Sequence, residues 1–349
     1  MSQVKKKTFD ELKKDIIDTG LCISCGTCEA VCPVNVIKLE ETIPTLIGKC
    51  IECSICYANC PRASLNENEL DQKVFGRARK PNEKLTGIYE KAYYAKATAS
   101  DIQEHAQDGG VVTALLTQFL ADGGDGVIAA GLEENMVWVP KPIIAKTREE
   151  VVKAAGSKYT PSPAMLGVKK AVKEEKLGKI AVVGTTCQMR GLSLAMMGSM
   201  RNKKIADAVA LKIGLFCMES FNYDDLMKYL KDNEVDPKKV TKFEIKNGRF
   251  YAWAGEERLH RAKLDKVKPL IRSGCLHCTD FASEYADISV GNVGSPAGYS
   301  TVIVRDEKGQ QILDAAIKSG LIEAAPIEDF DKGETLVHKL AEMKKTSHQ

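Results

Sequence analysis

Residues 22–61 read CISCGTCEAVCPVNVIKLEETIPTLIGKCIECSICYANCP, and this stretch decides how the rest of the chain is read. Cys22, Cys25, Cys28 and Cys32 precede Pro33; Cys50, Cys53, Cys56 and Cys60 repeat the same spacing before Pro61. In a doubled C-x-x-C-x-x-C-x-x-x-C-P run the fourth cysteine of each copy ligates the cluster of the other. The pattern therefore predicts one 4Fe–4S centre on Cys22, Cys25, Cys28 and Cys60, and a second on Cys50, Cys53, Cys56 and Cys32. Soft thiolates suit iron–sulfur clusters, and close spacing lets backbone N–H groups point at cluster sulfurs and tune the potential. Structural zinc is also held by CxxC pairs. Duplication, with proline after both fourth cysteines, favours the clusters, and with them single-electron transfer.

At 349 residues the chain is too long for such a unit alone and long enough for two or three domains. Its 44% hydrophobic and 28% charged residues are ordinary globular values, and a net charge of +3 makes no case for nucleic acid. Twelve cysteines, eight of them in the two runs, point to a reducing cytoplasm rather than to disulfides. Residues 1–12 are polar and lysine-rich, so no signal peptide is expected, and no apolar run is long enough to insert directly into a membrane. Any membrane role is expected to come peripherally, through a partner. Residues 5–18 suggest a short amphipathic helix. Residues 66–84, NENELDQKVFGRARKPNEK, are polar and read as a linker. The expected domains are a two-cluster ferredoxin-like unit over 1–70, a linker over 71–86 and a body over 87–349, with the iron–sulfur unit as an N-terminal appendage.

The body alternates helix and strand signals, which predicts an α/β fold. Strands are expected over 93–97, 127–131, 180–184, 208–216, 286–290 and 301–304. A hairpin is expected where 243–245 and 249–253 flank Asn247-Gly248. Helices are expected from 111, over 148–155, 164–176, 309–318 and 333–344. Asp108 is a candidate N-cap for the helix starting at Val111, and Gly109-Gly110 leave its first N–H groups open to an anion.

Cys187 and Cys217 each follow the carboxyl end of a buried strand, where open α/β sheets place their ligands. Cys275 and Cys278 form a CxxC. The four together would hold a third cluster; the duller alternative is two core cysteines and a small zinc site or incidental pair. A GxGxxA match at Gly124, Gly126 and Ala129 precedes a strand and fails the context of a dinucleotide fingerprint. The better cofactor loops are Gly109-Gly110, residues 157–162 and residues 291–298, each of which also reads as a plain turn or cap. Lys212, interrupting an apolar strand, lies on an edge or faces a ligand. It, Arg190, and the group Lys266, Lys268 and Arg272 could form a basic rim for an acidic substrate.

Several segments occur in an order that resembles the β subunit of coenzyme F420-reducing hydrogenase across about residues 87–345. They are Gln107-Asp108-Gly109-Gly110-Val111-Val112-Thr113, Gly156-Ser157-Lys158-Tyr159-Thr160-Pro161-Ser162-Pro163, Thr186-Cys187-Gln188, Phe216-Cys217-Met218-Glu219, Gly274-Cys275-Leu276-His277-Cys278 and Gly291-Asn292-Val293-Gly294-Ser295-Pro296. With the N-terminal unit added, the plan is similar to the electron-input subunit of membrane-bound F420H2 dehydrogenases of methanogenic archaea. It also resembles the N-terminal half of F420-dependent sulfite reductase. The resemblance implies an FAD- and F420-binding α/β body with a third 4Fe–4S cluster on Cys187, Cys217, Cys275 and Cys278. It implies cofactor contacts from Asp108, Gly109, Gly110, Lys158, Tyr159, Thr160, Ser162, Gly294, Ser295 and Pro296. Lys158, Lys212 and Arg190 are placed on the rim facing the acidic coenzyme.

The implied reaction is hydride transfer from reduced F420 to FAD, then single electrons through three clusters to a membrane complex or a soluble ferredoxin. A deazaflavin carries hydride and a cluster carries one electron, and a flavin handles both. No side chain need act as acid or base. The alternatives are a non-catalytic iron–sulfur relay, the β subunit of a hydrogenase, and an NAD(P)H-linked flavoprotein; the missing dinucleotide fingerprint counts against the last.

Overall fold

The computed structural model of the chain describes residues 7–63 and 66–347. Residues 5 and 6 of the expected first helix, and 64 and 65 near the end of the expected iron–sulfur unit, lie outside the described residues.

Thirteen strands are present among them. The iron–sulfur unit contains the antiparallel hairpin β1 (Ile37–Glu40) and β2 (Ile43–Leu46). The body contributes β3 (Lys91–Ala97), β4 (Gly126–Leu132), β5 (Pro140–Ala145), β6 (Ile180–Thr185), β7 (Val209–Leu215), β8 (Lys242–Lys246), β9 (Arg249–Ala254), β10 (Glu257–Lys263), β11 (Ile288–Gly291), β12 (Ser300–Val304) and β13 (Ile322–Pro326). Eight of these form the main sheet in the order β13-β3-β12-β11-β7-β6-β4-β5. Its centre, β4, β6, β7 and β11, is parallel, and both flanks are antiparallel. Strands buried on both faces need continuous apolar runs, and Ile180-Ala181-Val182 and Val302-Ile303-Val304 supply them. The α/β expectation holds. Strands β5, β10 and β13 carry no clear alternation and are legible only in the structure.

One face of the sheet is covered by Val111–Ala121 and Glu307–Lys318, through Leu115, Phe119, Ile312 and Leu313. The other is covered by Ala164–Lys169 and Thr186–Met197, through Met165, Val168, Met189 and Leu192. The second core also contains Ala30 and Val31 of the iron–sulfur helix Thr27–Val31. Full burial of a side chain such as valine is worth about 1.5–3 kcal/mol. The N-terminal unit is therefore a part of the body's packing and not an appendage. A smaller sheet, β10-β9-β8, packs with Tyr223–Asp232 around Phe221, Leu230, Phe243 and Phe250. Asn247 and Gly248 both take positive φ, as a two-residue hairpin turn requires.

The stretch read as a linker is also ordered. Glu67–Phe75 is a helix capped by Asn66, whose side chain accepts from the Glu69 N–H, and it ends at Gly76. Arg79 then donates from Nε to Asp71 at 2.7 Å, from Nη1 to Glu284 and from Nη2 to the Tyr285 hydroxyl. Asp71 is 0% exposed. Polarity here reflects paired charges inside a strap rather than solvation. The reading from composition missed this because the partners of Arg79 in the body lie far along the chain.

Candidate metal centres and the loops beside them

The eight cysteines of the doubled run lie close to one another. Burial pushes the Cys25 thiol up to about 12, with the charges of Cys60 and Cys22 adding to the effect. Cys28 is raised well above its usual range by burial and by Cys25, Cys60, Cys22 and Cys56. A cavity is lined by Cys22, Cys25, Cys28 and Cys60 together with Leu12, Ile16 and Ile23. Cys56 goes up to about 12 through burial, with Cys53, Cys50 and Cys32 as its charged neighbours. Cys60 thus lies beside Cys22, Cys25 and Cys28, and Cys32 beside Cys56.

The four dispersed cysteines also meet. Cys187 is the second residue of the helix that follows β6, and Cys217 lies two residues beyond β7, whose Leu215 pairs with Thr185. Adjacent parallel strands thereby deliver both thiols to one edge. Cys275 and Cys278 come from the one-turn segment Ser273–His277 and the residue after it. Burial raises the Cys187 thiol, and Cys278, Cys25 and Cys275 raise it further. Cys217 is raised by burial, relieved by Lys344, and raised again by Cys275, Cys187 and Cys278. Thr186 Oγ1 lies 3.7 Å from Cys278 Sγ. Because Cys25 belongs to the first set, the dispersed set and the first set are neighbours.

All twelve cysteines are free. Thiols so disfavoured as lone anions become ligands when a metal takes up the charge. No three His, Cys, Asp or Glu side chains among the described residues draw together tightly enough for one metal ion. Four thiols around an iron–sulfur cube stand farther apart than four around a single ion, and the donor chemistry fits clusters.

The iron–sulfur unit seats tightly on the body. Arg272 Nη2 donates to Ser24 Oγ at 2.6 Å, Ser273 Oγ donates to the Gly20 carbonyl at 2.8 Å, and Arg62 Nη2 donates to the His277 carbonyl at 2.6 Å. Glu29, almost wholly buried, accepts from Lys169 at 2.8 Å and from the Leu39 N–H at 2.6 Å. A Cβ on Gly274 would stand 2.7 Å from the Cys22 carbonyl oxygen, so only glycine permits this approach.

The three candidate loops converge around Asp108. Burial raises its carboxyl, while Lys242 and Lys246 of β8 and the Asn292 side chain lower it. Gln107 accepts from the Ser157 N–H at 3.3 Å and donates to the Phe243 carbonyl at 3.2 Å. Gly109 lies against β3 and β12, its N–H donating to Ser300 Oγ. The N-cap of the next helix is Gly110, in the left-handed region and with no side-chain cap. Asp108 is therefore not the cap expected from the sequence, and the first N–H groups have no side-chain partner there. The Tyr159 hydroxyl accepts from the Ile245 N–H at 3.2 Å, and its ring stacks on Phe221. Burial raises Tyr159, and the charges of Asp108, Glu244 and Cys217 add to it. The Tyr159 carbonyl accepts from the Phe221 N–H at 2.8 Å and from Ser220 Oγ at 3.1 Å, which ties this loop to the segment after Cys217. Thr160 is buried, and the Ser162 carbonyl accepts from Gln188, beside Cys187. Ser295 Oγ donates to the Tyr299 carbonyl at 3.0 Å, and Gly294 packs under Gly333, with Pro296 half-buried in the same loop.

Three basic residues do not sit on the expected rim. Lys212 is 4% exposed and donates to Asp287 at 3.1 Å, Ser193 Oγ and the Tyr285 carbonyl. A lysine in a central strand is held by a buried carboxylate, not by a ligand. Arg190 pairs with Glu67 of the strap at 3.2 Å and lies over the Tyr285 ring. Lys158 donates to the carbonyls of Ala154, Ala155 and Gly156, closing the end of the helix Arg148–Lys153, and burial brings it down to about 8. Lys242 and Lys246 of β8 face Asp108 instead, and Lys242 Nζ donates to the Gln107 carbonyl at 3.3 Å. The hairpin signal locates that strand, but nothing in its sequence assigns it to the loops.

Sets of thiols on an α/β body whose loops gather beside them define an iron–sulfur oxidoreductase subunit. Residues 177–330 match the family model for the C-terminal part of the coenzyme F420 hydrogenase/dehydrogenase beta subunit, and residues 92–169 match the model for its N-terminal part. Residues 15–38 match a 4Fe-4S binding domain. The chain is 37% identical to the beta subunit of coenzyme F420 hydrogenase from Methanosarcina barkeri, covering 75% of this chain and 91% of that one. It is 30% identical to the F-type subunit of the F420H2 dehydrogenase from Methanosarcina mazei, over 95% of this chain and 91% of the relative. A chain of the solved F420-reducing [NiFe] hydrogenase complex from Methanosarcina barkeri superposes with a TM-score of 0.73 at 36% identity, covering 76% of this chain and 92% of its own. The protein belongs to the coenzyme F420 hydrogenase/dehydrogenase beta-subunit family. No helix among the described residues is long and apolar enough to cross a membrane.

Proposed function

We propose that this chain is the electron-input subunit of an F420H2-oxidising complex, with FAD at the Asp108 loops and three 4Fe–4S clusters on the three thiol sets. A flavin accepts a hydride and gives up single electrons, which is the conversion a deazaflavin donor and a cluster acceptor require. The observation that carries this reading is continuity. The Tyr159 carbonyl accepts from Ser220 Oγ at 3.1 Å, three residues past Cys217, and Gly274, next to Cys275, packs on the Cys22 carbonyl, so loops, dispersed set and doubled run are contiguous.

The chain's own residues orient and insulate. The uncapped N–H groups at Val111 suit a pyrophosphate, and the closely packed Gly109 backbone fixes the loop beneath it. Tyr159 and Phe221 wall off water between the loops and the dispersed thiols. Lys242 and Lys246 supply positive charge where an acidic coenzyme enters, and steering of that kind weakens with salt. The buried Lys212–Asp287 pair holds β7 to the chain before β11, and so holds Cys217 in place. Both an integral membrane partner and a soluble ferredoxin can receive the electrons.

The test is anaerobic purification of the full chain after cluster reconstitution, followed by addition of reduced F420 with viologen as acceptor. Flavin absorption that bleaches with F420H2, and not with NADH, is the expected result. About eight irons per chain with no FAD would reduce the protein to a two-cluster relay.

A further inference from the structure

The C-terminal helix Gly333–Ser347 sends two adjacent lysines to different places. Lys345 pairs with Glu284 at 2.9 Å, which also receives Arg79 from the strap. Lys344 is 1% exposed and donates to the carbonyl oxygen of Cys217. Its charge acts on the thiols of Cys217, Cys278 and Cys187, and on Asp280. Asp280 is committed elsewhere, accepting from the N–H groups of Ser283 and Glu284. Arg272 also faces this set, at Cys275, and faces Cys22 of the first set. An ammonium removed from water is costly unless negative charge offsets it. The carbonyl and one shared carboxylate are a thin offset, whereas four thiolates on a cluster are a full one.

We propose that Lys344 sets the electron affinity of the cluster on Cys187, Cys217, Cys275 and Cys278, raising its potential by placing a buried positive charge beside it. The inference rests on the reading that this set holds a cluster. Cluster potentials follow net charge and local hydrogen bonding, and each electron taken up adds negative charge that a nearby cation stabilises. The second set has a lysine of its own, Lys173, which donates to the Cys32 carbonyl at 3.3 Å but is only half-buried. The C-terminal helix thus places a fully buried cation at the dispersed set alone.

Redox titration of the reconstituted full chain, followed by electron paramagnetic resonance, tests this directly. In Lys344→Met, one of three midpoints should move to a more negative value by about a tenfold loss of electron affinity, ~59 mV for a one-electron couple, with the other two unmoved. Lys344→Arg should restore it. Full iron content with three unchanged midpoints in Lys344→Met overturns the proposal. If Lys344→Met instead loses one cluster, retention of that cluster by Lys344→Arg supports a charge role, and its loss there as well reduces Lys344 to packing and overturns it. A wild-type chain with only two cluster signals overturns the three-cluster reading itself, a result separable from failure of the variant alone.

Discussion

The doubled cysteine run and the four dispersed cysteines prepare the same kind of site by opposite means. In the run, each set of four thiols comes from short loops and the one-turn helices Thr27–Val31 and Ile55–Ala58, and a cavity lies among Cys22, Cys25, Cys28 and Cys60. In the body, the thiols stand at the ends of β6 and β7 and in a loop far along the chain, and only the sheet brings them together. The difference is one of dependence. A local site needs its own segment folded; a dispersed site needs the whole domain, including the strap and the C-terminal helix.

Cysteine replacement should separate the two most sharply. Cys53→Ser and Cys187→Ser should each lower iron by about four atoms per chain on iron and sulfide analysis. Only Cys187→Ser should also stop electrons leaving the flavin, seen as a flavin that still bleaches with F420H2 while viologen stays colourless. If Cys53→Ser does the same, the line from loops to dispersed set to run is drawn wrongly.

Next in size is Arg79→Met. It strands Asp71, which is inaccessible to water, and takes from buried Glu284 one of its two cations; removing one partner of a buried ion pair costs about 3–5 kcal/mol. Urea unfolding should show a correspondingly lower midpoint. A surface linker would show no change, so a null result would restore the reading from composition.

Gly274→Ala probes the seam between the two regions. Its Cβ would press on the Cys22 carbonyl, and overpacking of this kind costs about 1–3 kcal/mol. Thermal unfolding should report the loss, with the dispersed set more readily depleted of iron than the run.

The smallest effect belongs to the body alone. Burial and the charge of Asp287 push the Asp306 carboxyl up to about 7, although it caps the helix Glu307–Lys318 by accepting from the Gly309 N–H at 2.9 Å. The folded chain keeps this proton up to about pH 7, whereas an unfolded aspartate loses it near pH ~4. Its contribution to stability therefore declines as pH rises from about 4 to 7. Asp306→Asn keeps a capping oxygen and removes the conflict, so it should melt higher than wild type at about pH 8, with the gap closing by about pH 5. A constant gap across that window would rule out the carboxyl as its source.

The sequence was most informative where ligands are neighbours. Spacing alone assigned Cys60 to the first set and Cys32 to the second, and hydrophobic runs marked the central strands, because local geometry and burial act over a few residues. Placement of Cys187 and Cys217 after buried strands also hinted at a shared edge. Tertiary structure decided the rest. It turned Lys212 inward to Asp287, tied Arg190 to Glu67, made the polar strap a clasp through Arg79, and set Lys344 beside the dispersed thiols. A charged side chain carries no mark of its partner in the sequence: whether it meets water, a carboxylate or a cluster depends on which distant segment packs against it.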